Sequence, residues 1–81
     1  MILYNARLDS QAPFESVQIA AESPKEAAKE FAKQFDAKYL GRPIICANGT
    51  EVVVFDTVTS KSYHFMVEGY ADPVYTAKEI T

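Results

Sequence analysis

The sequence predicts a small α+β fold: a β-hairpin, one α-helix, then an antiparallel β-meander. The predicted order is ββαβββ, with a possible extra C-terminal strand and the helix packed on one face of the sheet. Apolar and polar residues alternate near the N-terminus and in the second half, as in half-buried strands. Between these two regions, a helix start signal precedes an apolar stripe at helical spacing. With 81 residues, we expect a single domain, 1–81.

The first two strands are predicted from alternation. Residues 2–9, ILYNARLD, place Ile2, Tyr4, Ala6 and Leu8 on one side and Leu3, Asn5 and Arg7 on the other. The turn residues SQAP follow, and ESVQIAA then resumes the alternation with Val17 and Ile19 facing inward. We therefore expect the two segments to pair as a hairpin.

The helix carries the clearest local signal. Ser23 is the expected N-cap, Pro24 takes the first helical position, and Glu26 stands three residues after the cap, as in a capping box. Gly41 and Pro43 are predicted to end the helix. One apolar stripe at helical spacing is expected to face the sheet: Ala27, Ala28, Phe31, Ala32, Phe35 and Tyr39.

The second half predicts a meander. IICA (44–47) and TEVVVFDTV (50–58) are expected to form a hairpin around Asn48-Gly49, because Asn-Gly is a strong two-residue turn signal. A turn at Ser60-Lys61 then leads into YHFMVEGY (63–70), which places His64 opposite Thr57. The segment VYTAKEI (74–80) is either a last edge strand or a docked tail.

Composition restricts the class of protein. Eleven carboxylates against eight lysines and arginines give a formal net charge of −3, which opposes attraction to nucleic acid or anionic lipid. The single cysteine permits no intrachain disulfide, and the first residues lack the pattern of a secretory signal, so we expect a cytoplasmic protein. No apolar run approaches the roughly 18 residues that span a bilayer.

The predicted register argues against catalysis and metal binding. Cys46 would lie opposite Glu51 and His64 opposite Thr57, about 20 Å apart along the sheet at the usual strand rise. The thiol and the imidazole would then not share a proton, and these two metal ligands would not converge on one ion. The three glycines occur singly, so no phosphate-binding loop is indicated. We therefore predict no catalytic residue, no metal and no cofactor.

The same register predicts two apolar faces on the sheet. The core face holds Ile45, Val52, Val54, Val58, Tyr63, Phe65 and Val67. The second face has an apolar centre and a polar rim, and its predicted protein-binding residues are Ile44, Val53, Phe55, His64, Met66 and Tyr70. Because one helix covers only one face, the second face needs a further cover. That cover is the C-terminal segment, a second copy of the chain or a different protein.

These observations favour a noncatalytic protein-interaction module, with homodimerisation as its simplest form. The layout of hairpin, AAESPKEAAKEF helix and meander is similar to that of small phage-encoded proteins, including some anti-CRISPR inhibitors. The resemblance is architectural and implies a phage- or mobile-element-encoded inhibitor of a larger complex. Two alternatives remain: a nucleic-acid-binding module that uses Tyr63, Phe65 and Phe55 for base stacking, and a small enzyme or enzyme subunit.

Overall fold

The computed structural model describes residues 1–38, 44, 49–70 and 74–80. The regular elements are β1 (Ile2–Leu8), β2 (Val17–Ala21), α1 (Pro24–Lys38), β3 (Thr50–Asp56), β4 (Lys61–Tyr70) and β5 (Val74–Glu79), with a short 3-10 turn at Pro13–Glu15. The five strands form one antiparallel sheet in the order β2-β1-β3-β4-β5. This confirms the predicted α+β class. In the described ranges, no helix has both the length and the apolar character needed to cross a membrane.

The N-terminal hairpin forms as predicted. Its register pairs Ile2 with Ala21 and Tyr4 with Ile19. Tyr4 and Ile19 are buried, as their inward positions in the alternation require. Val17 lines a groove beside α1, but it remains 41% exposed at the start of this edge strand. It therefore contributes less to the core than the sequence pattern indicates.

Helix α1 begins at the predicted cap. The Ser23 hydroxyl oxygen accepts a hydrogen bond from the Glu26 backbone N–H at 3.3 Å, and the Ser23 carbonyl accepts one from the Ala27 N–H at 2.9 Å. Within the described residues, the Glu26 carboxylate does not return a bond to Ser23 and instead lies 3.7 Å from the Lys29 ammonium. The N-cap is therefore confirmed, and the reciprocal half of the capping box is replaced by an ion pair.

The predicted stripe of α1 packs against the sheet. Helix α1 contacts all five strands, and its buried apolar residues are Ala27, Ala28, Phe31 and Ala32. Phe35 is half-buried and packs on Phe31, with ring centroids 5.6 Å apart. The sheet contributes Tyr4, Ala6, Ile19, Ala21, Val52, Val54, Phe65, Val67, Tyr75 and Ala77 to the same core. The predicted helix residue Tyr39 and the end signals Gly41 and Pro43 lie outside the described residues.

A buried carboxylate near the end of α1 forms hydrogen bonds with two groups outside the helix. Asp36 accepts a hydrogen bond from the Ile44 backbone N–H at 2.8 Å and another from the Tyr75 hydroxyl at 2.8 Å. Ile44 itself is helical and buried in the core. Its predicted place in a strand on the second face is therefore wrong, because Asp36 holds the Ile44 backbone beside the helix.

Strand β3 lies in the middle of the sheet and has neighbours on both edges. It pairs with β1 on one side and with β4 on the other. Both edges of β3 are therefore occupied from Val52 to Asp56. Residues 45–48 of the predicted hairpin lie outside the described residues. The C-terminal segment forms β5 beside β4. It is therefore an edge strand, as one of the two predicted alternatives held, and it lies in the sheet rather than across a face.

The turn between β3 and β4 corrects the predicted register. The Asp56 carboxylate accepts hydrogen bonds from the backbone N–H groups of Val58 and Thr59 at 2.8 and 3.2 Å. The Ser60 N–H donates to the Asp56 carbonyl at 2.9 Å. This Asx turn uses four residues, 57–60, where the sequence predicted two. His64 consequently pairs with Val53 instead of Thr57.

Candidate functional site

The candidate site is the face of the sheet opposite α1, which we call the open face. Strand alternation and the observed register place every second residue on it. Its central residues are Leu3, Asn5, Arg7, Glu51, Val53, Phe55, Ser62, His64, Met66 and Glu68. In the part of the chain that the structure describes, no helix packs on this face.

The structure brings together part of the predicted protein-binding set. Val53, Phe55, His64 and Met66 lie on the open face, as predicted from alternation. Ile44 does not, because it is buried in the core. Tyr70 ends β4, and its side chain lies outside the described part.

Phe55 and Met66 are not neighbours across the hairpin, although the sequence predicted that they were. Phe55 pairs with Ser62, and Met66 pairs with Glu51. Ser62 and Met66 are four residues apart on β4, so Phe55 and Met66 are separated by about 14 Å at ordinary strand spacings. The four-residue turn at 57–60 is the physical reason, since it shifts β4 along β3 relative to the predicted register.

The middle of the open face is polar. Val53 lies between Arg7 on β1 and His64 on β4, and only 5% of it is exposed. The Arg7 guanidinium donates to the carbonyl oxygens of Leu8, Asp9 and Gln11 at 3.2, 3.2 and 2.8 Å. These bonds hold the Arg7 side chain against the loop after β1. The apolar centre predicted from the sequence is therefore divided by charged and polar side chains.

Apolar surface remains at the two ends of the open face. Leu3 is 48% exposed at the end that also carries Phe55, and Met66 is 39% exposed at the other end. The Met66 sulfur lies close to Gly49: a Cβ atom on Gly49 would come within 3.1 Å of it. Gly49 also has a φ of 106°, which side-chain-bearing residues rarely adopt. The absence of a side chain at Gly49 therefore allows the Met66 side chain to pack against the start of β3.

Two depressions lie on opposite sides of the sheet. A groove of about 360 Å³ lies on the open face between Arg7, Val53 and Phe55. A larger one of about 550 Å³ lies between α1 and residues of β2 and β5, and its charged lining consists of glutamates and lysines from the α1 region. Among the described residues, no histidine lines either depression.

One cluster of metal-ligating side chains lies on the open face: Asp9, Glu51 and His64. One ligand atom from each lies within 4.8 Å of the others, and His64 Nδ1 is 3.0 Å from Glu51 Oε2. The sequence prediction missed this cluster because its register placed His64 opposite Thr57. The alternation of Arg7 and Asp9 onto one side of the first strand was visible, but the pairing of β1 with β3 was not predicted.

The aromatic residues considered for base stacking are divided between the two faces. Phe65 is buried under α1, and Tyr63 is half-buried against the same core. The Lys61 ammonium lies 5.1 Å from the centre of the Tyr63 ring. Phe55 is thus the one member of the predicted trio on the open face. Cys46 lies outside the described residues, so its predicted separation from His64 stays a prediction.

The chain matches no protein-family model, no curated protein sequence and no solved structure.

Proposed function

We propose that this chain is a noncatalytic protein-interaction module that binds its partner through the open face. The observation that carries the proposal is that, among the described residues, a helix packs on one face of the sheet and not on the other. Helix α1 buries one face, whereas the other exposes Leu3 and Met66 beside charged side chains. The C-terminal segment, which the sequence analysis proposed as one possible cover for this face, forms strand β5 (Val74–Glu79) instead.

The chemistry of the open face fits a protein partner. Interfaces are enriched in methionine, arginine and aromatic residues, and their contacts combine apolar anchors with polar groups. The open face offers Leu3 with Phe55 at one end and Met66 at the other, with Arg7 and the Asp9–Glu51–His64 cluster between them. Two anchors about 14 Å apart fit an extended protein surface better than a small ligand.

The sheet also presents these groups in fixed positions. Strands β1, β3 and β4 are paired along their lengths, and Arg7 is held by three carbonyl groups. A binding surface that is ordered before association loses less conformational entropy when the partner binds. This argument supports a rigid binding module in which the fold itself orders the contact residues.

A second copy of the chain is the simplest partner, and a larger complex that the chain inhibits is the more specific one. The hypothesis that the chain is an inhibitor comes from the architectural resemblance to small phage proteins and stays a prediction. A nucleic-acid partner fits less well. The net charge is −3, and two of the three aromatic residues considered for stacking face α1.

The test compares the wild-type chain with the double variant Leu3→Lys/Met66→Lys. Both positions are partly exposed, so a lysine can keep its ammonium group hydrated while its aliphatic part lies on the sheet. Val58→Lys is the matched control, because Val58 is 77% exposed in the β3–β4 turn. Thermal melting followed by circular dichroism verifies that each protein is folded.

Sedimentation equilibrium measures self-association. To test for a different partner, proteins are captured from cells of the source organism with the purified chain. The affinity for each purified captured protein is then measured by titration. We expect the wild type and Val58→Lys to associate equally and the double variant to lose at least tenfold in affinity. A folded double variant that associates like the wild type would refute the proposal. A wild-type chain that neither self-associates nor binds a captured protein directly would do the same.

A further inference from the structure

We propose that Asp9, Glu51 and His64 form a binding site for a divalent transition-metal ion, with Zn²⁺ as the reference ion. The proposal reverses the prediction of no metal, which considered only the separation of His64 from Cys46. It goes beyond the proposed protein-binding function and does not depend on it.

The fold brings the three side chains to one point from three places in the sequence. The Asp9 backbone N–H donates to the Glu51 carbonyl at 2.9 Å, which extends the β1–β3 ladder by one residue beyond Leu8. Asp9 thus lies beside Glu51 on the open face. His64 pairs with Val53, so it is the diagonal neighbour of Glu51 on the next strand. Glu51 and His64 therefore project from two central, paired strands, and Asp9 is tied to the same ladder.

The distances fit a metal site after small side-chain rotations. Zn²⁺ is bound at roughly 2.0–2.2 Å by histidine nitrogen and carboxylate oxygen, so neighbouring ligand atoms in a tetrahedral site are about 3.3 Å apart. His64 Nδ1 and Glu51 Oε2 are already 3.0 Å apart, and all three ligand atoms lie within 4.8 Å of one another. One imidazole and two carboxylates form a donor set that suits Zn²⁺, and also Mn²⁺ with lower affinity.

The charge around the cluster favours a cation. Two carboxylates approach each other, and within the described residues the Asp9 carboxylate has no ion pair. Arg7, two residues before Asp9, donates from its guanidinium to carbonyl oxygens, and it forms no ion pair with a carboxylate in the described ranges. His64 is the only imidazole in the chain. A divalent ion would neutralise both carboxylates, whereas the His64–Glu51 contact pairs only one of them with a partner among the described residues.

The cluster is accessible to solvent, and its three protein ligands do not fill the coordination shell of a metal ion. Asp9 and His64 are exposed and Glu51 is partly exposed, so an ion can reach the cluster from solvent. Three protein ligands leave at least one coordination position for water or for a side chain of a bound protein. The cluster lies on the open face, so such a side chain would arrive from that side.

Isothermal titration of the tag-free chain with zinc chloride tests the proposal. We expect one Zn²⁺ per chain, with affinity at least tenfold lower for Asp9→Asn, Glu51→Gln and His64→Gln. Glu68→Gln is the matched control, because it removes a carboxylate from the same face outside the cluster. Cys46→Ser controls for binding at the thiol. Both controls should bind Zn²⁺ within twofold of the wild type.

The single histidine provides a direct second readout. The imidazole signals of His64 in the NMR spectrum should shift on addition of one equivalent of Zn²⁺ and broaden on addition of Mn²⁺, and both effects should be weaker in Asp9→Asn. Unchanged imidazole signals at millimolar Zn²⁺ would overturn the proposal. So would an unchanged affinity in folded Asp9→Asn, or loss of binding in Cys46→Ser alone.

Discussion

The hydrogen bond between Tyr75 and Asp36 offers the sharpest test of how this small fold is held together. Tyr75 lies on β5 and Asp36 near the end of α1, and the phenol donates to the carboxylate at 2.8 Å. Both residues are buried, at 6% and 3% exposure. Tyr75→Phe removes this hydrogen-bond donor while the ring keeps its shape.

The expected loss follows from the chemistry of this bond. A hydrogen bond to a charged group contributes about 1.5–3 kcal/mol, and water has little access to replace the phenol at this depth. The Ile44 N–H still donates to Asp36, so the carboxylate is not left entirely unpaired. We therefore expect Tyr75→Phe to lower the free energy of unfolding by about 2 kcal/mol. For a domain of this size the melting temperature should fall by about 10 °C.

Urea denaturation and thermal melting of the purified variants measure this loss. Tyr63→Phe is the matched control, since within the described residues the Tyr63 hydroxyl makes no hydrogen bond; its effect should stay within about 0.5 kcal/mol. The double variant Asp36→Ala/Tyr75→Phe completes a cycle that isolates the pair. A loss below about 0.5 kcal/mol for Tyr75→Phe would refute the argument that this bond anchors β5 to α1.

Two further predictions test the cap of α1 and the buried phenol of Tyr4. Ser23→Ala should lower the free energy of unfolding by about 0.5–2 kcal/mol, because the Glu26 N–H loses its acceptor; an unchanged urea midpoint would contradict this role. Burial, aided by the Asp56 carboxylate, raises the pKa of Tyr4 above its ordinary value. The folded state therefore holds that proton more tightly than the unfolded state, and stability should fall as pH rises through about 10 towards the folded pKa. Between about pH 9 and about pH 11, Tyr4→Phe should lose less stability than the wild type in urea titrations. Equal losses in the two proteins would show that Tyr4 does not cause the alkaline sensitivity.

Local signals predicted the elements whose structure is decided by nearby residues. Ser23 and Pro24 mark the start of α1 because a cap and its acceptor lie within one turn of chain. The alternation around Tyr4 and Ile19 predicted the hairpin, since each side chain reports its own face. The same rule placed Val53, Phe55, His64 and Met66 on one face, although their neighbours were misassigned.

The errors arose where a partner is distant in sequence or where a side chain redirects the backbone. In the sequence, Asp56 has the pattern of an ordinary strand residue. In the structure, its carboxylate accepts hydrogen bonds from two backbone N–H groups of the turn. The resulting four-residue turn shifts β4 along β3. Asp36 reads as a polar residue on a helix, yet it is buried and binds Ile44. No local sequence pattern predicts the role of Asp56 or Asp36, because each role depends on groups that the fold brings together.

The sequence alone therefore determined the α+β class, the helix start, the first hairpin and the two-faced character of β3 and β4. Periodicity and capping encode these features within a few residues. Tertiary structure decided that β3 pairs with β1, that residues 74–79 complete the sheet, and which side chains meet on the open face. Strand pairing is not determined by local sequence. A shift of β4 along β3 by an even number of residues, here four, preserves the faces while changing every cross-strand neighbour. That shift moves His64 away from Thr57 and places it beside Glu51, which is why the metal-ligating cluster emerges only from the folded chain.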